Sequence, residues 1–175
     1  EVSWRYQEDG IAVSVTPEDD YLSVTITSET DRDNAFTWPE ISADSYYFPF
    51  GEGKRVPADD SVWKDYLAGQ IGQPNPADQS NPPAKEFSVL EQFSMPFWIS
   101  SAGDYAVLFI MEDPFHTKIS FRQNPDLTFS LNNGFPDIDT DRTKRFRIYL
   151  TDNDPVSAAK LYRKYVKETD RFVTL

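Results

Sequence analysis

Carboxylates are the first candidates for chemistry in this sequence. Glu52, Asp59 and Asp60 stand within the stretch FPFGEGKRVPADD, Phe48 to Asp60, and Glu112 and Asp113 stand side by side further on. Two carboxyl groups placed across one bond can act as acid and as base or nucleophile, the division of labour that cleaving a glycosidic bond requires. The chain carries 29 acidic residues, so such pairs also arise by chance, and a solvated or helix-capping role is the simpler reading of each. His116 is the only histidine. No histidine-based metal cluster can be built from it, and no Gly-x-Ser-x-Gly elbow presents a serine to it, which favours a turn or packing role. Asp137, Asp139 and Asp141 alternate like the first half of a calcium loop. Arg142 and Ile148 then occupy the places of the turn glycine and the bidentate glutamate, so an acidic turn between strands is expected. The residues call for no metal and no cofactor.

Charge narrows the partners. The 175 residues have a net charge of -12. Residues 1 to 141 hold 8 basic and 25 acidic side chains, whereas 142 to 175 hold 9 basic and 4 acidic, so the tail is locally cationic. An acidic body repels phosphate backbones and anionic lipid surfaces, which disfavours nucleic acid and membrane; a neutral carbohydrate meets no such penalty. Thirteen Phe, nine Tyr and four Trp suit a sheet interface or sugar stacking, and core packing claims most of them. The absence of cysteine removes disulfides, thiol nucleophiles and thiolate metal sites together. No signal-peptide pattern, long apolar run or Asn-x-Ser/Thr sequon occurs, which leaves a cytoplasmic or a secreted bacterial protein equally open.

The elements that must position these residues are mostly strands. Apolar and polar residues alternate over Ile11 to Val15 and Tyr21 to Thr27, with Leu22, Val24 and Ile26 on one face and Ser23, Thr25 and Thr27 on the other, the pattern of half-buried strands. Tyr46 to Phe50, Phe87 to Phe93, Tyr105 to Met111, Lys118 to Phe121, Leu127 to Leu131 and Phe146 to Leu150 continue the series between Gly, Pro, Asn and Asp punctuation. A mainly β, two-sheet β-sandwich is expected. Gly69 to Lys85, with four prolines and few apolar side chains, reads as a long exposed loop. Asp59 and Asp60 could cap a short helix near 60-68 bearing Val62, Trp63, Tyr66 and Leu67. A C-terminal helix is predicted from Asp154 as N-cap and Pro155 at the first position, with Ala158, Leu161, Tyr162, Tyr165 and Val166 forming one apolar stripe. Beyond it Arg171 to Leu175 ends on apolar residues, as though a longer chain were expected.

Three stretches, in order, carry a resemblance: FPFGEGKRVPADDSVW (Phe48 to Trp63), SMPFWI followed by DYAVLFIMEDPF (Ser94 to Phe115), and DPVSAAKLYRKYV (Asp154 to Val166). The chain resembles, over nearly its whole length, the N-terminal region of large glycoside hydrolases related to families 101 and 129, the endo-α-N-acetylgalactosaminidase and α-N-acetylgalactosaminidase group. The resemblance implies a galactose-mutarotase-like supersandwich over 1-153 and, over 154-175, a helical connector toward a C-terminal (β/α)8 catalytic barrel in the same polypeptide. The family's catalytic residues would lie in that barrel, so no catalytic residue is assigned here.

On this reading Glu52, Lys54, Arg55, Asp59, Asp60 and Trp63 form a carbohydrate or domain-interface loop, and Leu161, Tyr162 and Tyr165 dock the helix. Gly51 and Gly53 would permit unusual backbone angles or close approach, stiffened by Pro49 and Pro57. The expected function is a non-catalytic N-terminal domain that packs on the barrel and helps shape the carbohydrate-binding cleft. The alternative is an autonomous carbohydrate-binding module stacking sugars on Trp38, Trp63 or Trp98. An independent mutarotase-like or lyase-like enzyme is disfavoured by the single His116.

Overall fold

The computed structural model describes residues 2–6, 11–28, 34–37, 43–49, 53–57, 85–88, 94–112, 117–121, 127–131 and 143–169. Their strands are β1 (Val2–Tyr6), β2 (Ile11–Pro17), β3 (Leu22–Ser28), β4 (Asn34–Thr37), β5 (Ser45–Phe48), β6 (Lys54–Pro57), β7 (Lys85–Ser88), β8 (Phe97–Ala102), β9 (Tyr105–Met111), β10 (Thr117–Phe121), β11 (Leu127–Leu131) and β12 (Thr143–Asp152); one helix, α1, spans Pro155–Thr169. The chain is mainly β. An eight-stranded sheet has the order β1-β2-β3-β12-β9-β8-β5-β6, and a four-stranded sheet the order β4-β11-β10-β7. Neighbours in both run antiparallel. The short helix expected near 60-68 and the Pro-rich stretch 69–84 lie outside the described residues.

Register in the larger sheet follows the alternation already visible in the sequence. Val13 faces Ile26, Val15 faces Val24, and Val24 in turn faces Phe146, which sits opposite Met111. A slip by one residue would turn this row to the other face. β8 departs from the alternating pattern: Phe97 to Ser101 are buried without a break. Both faces of the sheet are sealed there, so an apolar run replaces the period of two and periodicity gives no strand signal.

On one face α1 covers β8, β9 and β12. Phe97, Ile99, Leu108, Ile110 and Tyr149 form a core with Ala158 and Tyr165 of the helix, while Leu161, Tyr162 and Val166 pack half-buried at its margin. Trp98, Phe109, Phe146, Ile26 and Tyr46 are sealed on the opposite face. The helix start is fixed by Asp154, whose carboxylate accepts the Val156 and Ser157 backbone N–H groups at 3.2 and 3.1 Å. These are two of the donors a helix leaves unpaired at its first turn. The Val156 N–H chiefly holds the exposed Asp154 carboxyl below the usual carboxylate range, slight desolvation opposing it and Ser157 adding to it.

Candidate functional site

The stretch Phe48 to Asp60 lies partly within the described residues. Phe48 and Pro49 are buried, and Lys54–Pro57 is β6, paired with β5 so that Tyr47 faces Arg55. Gly53 lies between them at φ +84°. A Cβ there would stand 2.0 Å from Tyr47 Oη and 2.6 Å from its Cζ. Both expected uses of a glycine, a left-handed backbone and close approach, therefore coincide at Gly53. Replacing Gly53 by Ala must shift a rigid ring as well as strain the backbone, and a loss of about 2 kcal/mol is expected. A urea melt checks it, and an unchanged midpoint would refute the contact.

Arg55 is tied into the sheet and the helix start. Its Nε donates to Ser45 Oγ at 2.7 Å and its guanidinium to Asn153 Oδ1 at 3.2 Å. Asn153 Nδ2 in turn donates to the Gly103 carbonyl at 2.8 Å, and the Gly103 N–H donates to Asp44 at 2.7 Å. Gly103, at φ +56°, turns the β8–β9 hairpin. One network thus joins the edge hairpin, the central hairpin and the residue before the helix cap. Glu52, Asp59, Asp60 and Trp63 lie outside the described residues, as do the Lys54 side chain, Asp113, His116 and Asp137 to Asp141.

Glu112 is bound to a cation. Its Oε1 accepts Arg147 Nε at 2.5 Å, with both side chains about 15 % exposed. The Arg147 guanidinium lies 4.6 Å from the Tyr21 ring centroid and 4.9 Å from that of Tyr165 on α1, within reach of the negative ring faces. Glu168 meets it at 3.4 Å. Burial opposes the Arg147 charge, yet hydrogen bonds to Glu112 and Tyr149 outweigh it, and its pKa stands above the ordinary guanidinium value. Lys164 pairs with Asp20 close by. Sequence reading counted Arg147 only among the cations of the tail. The available signal was an arginine in phase with Tyr149 on a strand otherwise alternating toward a core.

Between α1 and the β5–β8 side of the sheet runs a groove of about 430 Å³, walled by Tyr47, Met95, Phe97, Ile99 and Tyr162. Tyr47 and Phe97 stack at 6.1 Å and 14°, and Phe97 meets Tyr162 at 5.0 Å, tilted by 44°. Burial raises the Tyr162 hydroxyl's pKa, with Tyr165 adding to the shift. Arg163 and Lys167 stand at the rim. The groove is suited to receiving an apolar group, and the described residues bring no acid–base pair into it. Of the expected docking residues, Tyr165 is buried and Leu161 and Tyr162 are packed at the core margin. Their stripe is engaged by the chain's own sheet.

Trp98 cannot be a sugar platform. It is 0 % exposed and stacks on Phe109 at 4.5 Å and 8°. Trp38 and Trp63 lie outside the described residues. Among the described residues no cluster of His, Asp and Glu could hold a metal ion, and no helix is long and apolar enough to cross a membrane.

No family model matches the sequence, and no curated protein matches it. In fold the mainly β chain is similar to part of a larger solved enzyme. Among the solved structures similar to it is the α-N-acetylgalactosaminidase NagBb from Bifidobacterium bifidum. Its GalNAc complex matches with a TM-score of 0.56 and 16% identity over 92% of this chain and 26% of that one. The ligand-free form gives 0.57 and 15% over 91% and 26%. The likeness is one of fold, and this chain spans about a quarter of the enzyme's length. It agrees with the resemblance carried by the three sequence stretches.

Proposed function

We propose that the chain is a non-catalytic N-terminal supersandwich domain of a glycoside hydrolase, with residues from Asp154 onward leading to a catalytic barrel in the same polypeptide. The observation that carries this reading is the asymmetry of the fold match, which takes in 92% of this chain but only 26% of a glycosidase. Support also comes from Glu112, the described member of the Glu112–Asp113 pair, which is bound to Arg147 rather than set across an open cleft. Closure of the two sheets on one another belongs to the same proposal. So does a carbohydrate cleft rimmed by Glu52, Lys54, Arg55, Asp59, Asp60 and Trp63, since ligand sites favour domain interfaces.

Purified residues 1 to 175 are expected to leave aryl α-N-acetylgalactosaminides uncleaved, while the coding region past Leu175 continues into roughly 300 residues of alternating strand and helix, the length of a (β/α)8 barrel. Cleavage by the 175-residue chain that is abolished in Glu52→Gln or Asp59→Asn would overturn the reading. A coding region without such a barrel would overturn it equally.

A further inference from the structure

The groove beside α1 has two properties that an isolated domain does not need. Its walls are aromatic and aliphatic, formed by Tyr47, Phe97, Ile99 and Tyr162, and Met95 among them keeps 36% of its surface exposed. Its rim carries Arg163 and Lys167, which form no ion pair with any described residue. Lys164, on the same helix, is by contrast paired with Asp20 and Glu168. In a chain of net charge -12, two adjacent cations left without a described carboxylate mark a place where negative charge is favourable. An apolar slot with a cationic rim fits one kind of occupant, a large apolar side chain flanked by carboxylates. Interfaces are built this way, with an anchor in a pocket and charges at the margin.

We propose that this groove is the seat of the catalytic domain of the same polypeptide, which lays an aromatic or aliphatic side chain against Tyr47, Tyr162 and Met95 and sets acidic residues against Arg163 and Lys167. The inference rests on the domain reading above, and the source of the occupant is argued from the three quarters of the neighbouring glycosidase that this chain does not cover. The groove runs along the flank of α1 nearest β5 and β8, where Tyr162 and Val166 of the stripe held by the sheet form part of its wall. The connector would thus be fixed to its own domain before the barrel docks beside it.

Hydroxyl-radical footprinting of residues 1 to 175 and of the full-length polypeptide tests this, because methionine oxidation follows exposure. Oxidation of Met95 is expected to be about fivefold slower in the longer chain, while Met111, 1% exposed, stays protected in both and reports intact folding. Ala159→Glu and Lys167→Glu change exposed helix positions at the groove. In the longer chain each should restore Met95 reactivity toward that of the isolated domain, with Met111 still protected. If a barrel is encoded and Met95 is equally reactive in both chains, or either variant leaves its protection unchanged, the groove assignment falls while the domain reading stands. If no barrel is encoded, both fall.

Discussion

Trp98→Ala should lower the stability of this chain by about 4 kcal/mol, the usual cost of emptying a large buried aromatic site. In a chain of this length that corresponds to a fall in melting temperature of roughly 10 °C or more. The indole is fully enclosed and stacked on Phe109, with Phe146, Ile26 and Tyr46 on the same side of the sheet. Surrounding strands paired on both sides cannot collapse into the void. A thermal melt followed by circular dichroism reads the effect. A sugar platform would behave in the opposite way, losing glycan binding with the melt unchanged, and that result would overturn the burial of Trp98 described here.

Arg147→Met is the second large effect, expected at about 3 kcal/mol. The substitution keeps most of the side chain's apolar stem but removes the charge that pairs with Glu112 and spans the Tyr21 and Tyr165 rings. Two unlike costs combine. The Glu112 carboxylate, about 15 % exposed, loses its arginine in a poorly solvated place, and α1 loses a contact that joins it to β12 and to Tyr21. The Glu168 contact, 45% exposed on the acidic side, contributes little. Adding Glu112→Gln to Arg147→Met should recover part of the loss, since a neutral amide costs less to bury than a carboxylate deprived of its partner. Denaturant melts of Arg147→Met, Glu112→Gln and the double variant check this. A double variant as unstable as the sum of the two single changes would show that the pair is not coupled.

Several elements were legible because their signals are local. β9 and β11 were predicted with the bounds observed, and α1 was read from an Asp-Pro start followed by apolar spacings of three and four. β12 was read too short, as Phe146 to Leu150 against Thr143–Asp152. Its ends, Thr143 to Arg145 and Thr151 to Asp152, are polar or charged and carry no apolar alternation. β8 was missed because burial on two faces erases alternation. At the candidate site, Gly53 was read correctly from its type, but its partner Tyr47 could not be, since the two meet through a hairpin. The roles of Arg55 and Arg147 were equally hidden, for each closes onto residues far along the chain, Asn153 for the one and Glu112 with Tyr21 for the other.

The sequence by itself determined the mainly β class, the acidic body with its cationic tail, the capped terminal helix and the resemblance to one group of glycosidases. These depend on composition, on a period of two or of 3.6, and on the order of short motifs, all of which exist before the chain folds. Only the tertiary structure decided that Trp98 is core, that Glu112 is held by Arg147, and that a groove with a cationic rim opens beside the helix. Each of these is a fact about which faces meet, and strands distant in sequence become neighbours only when the sheet order β3-β12-β9-β8-β5 is set.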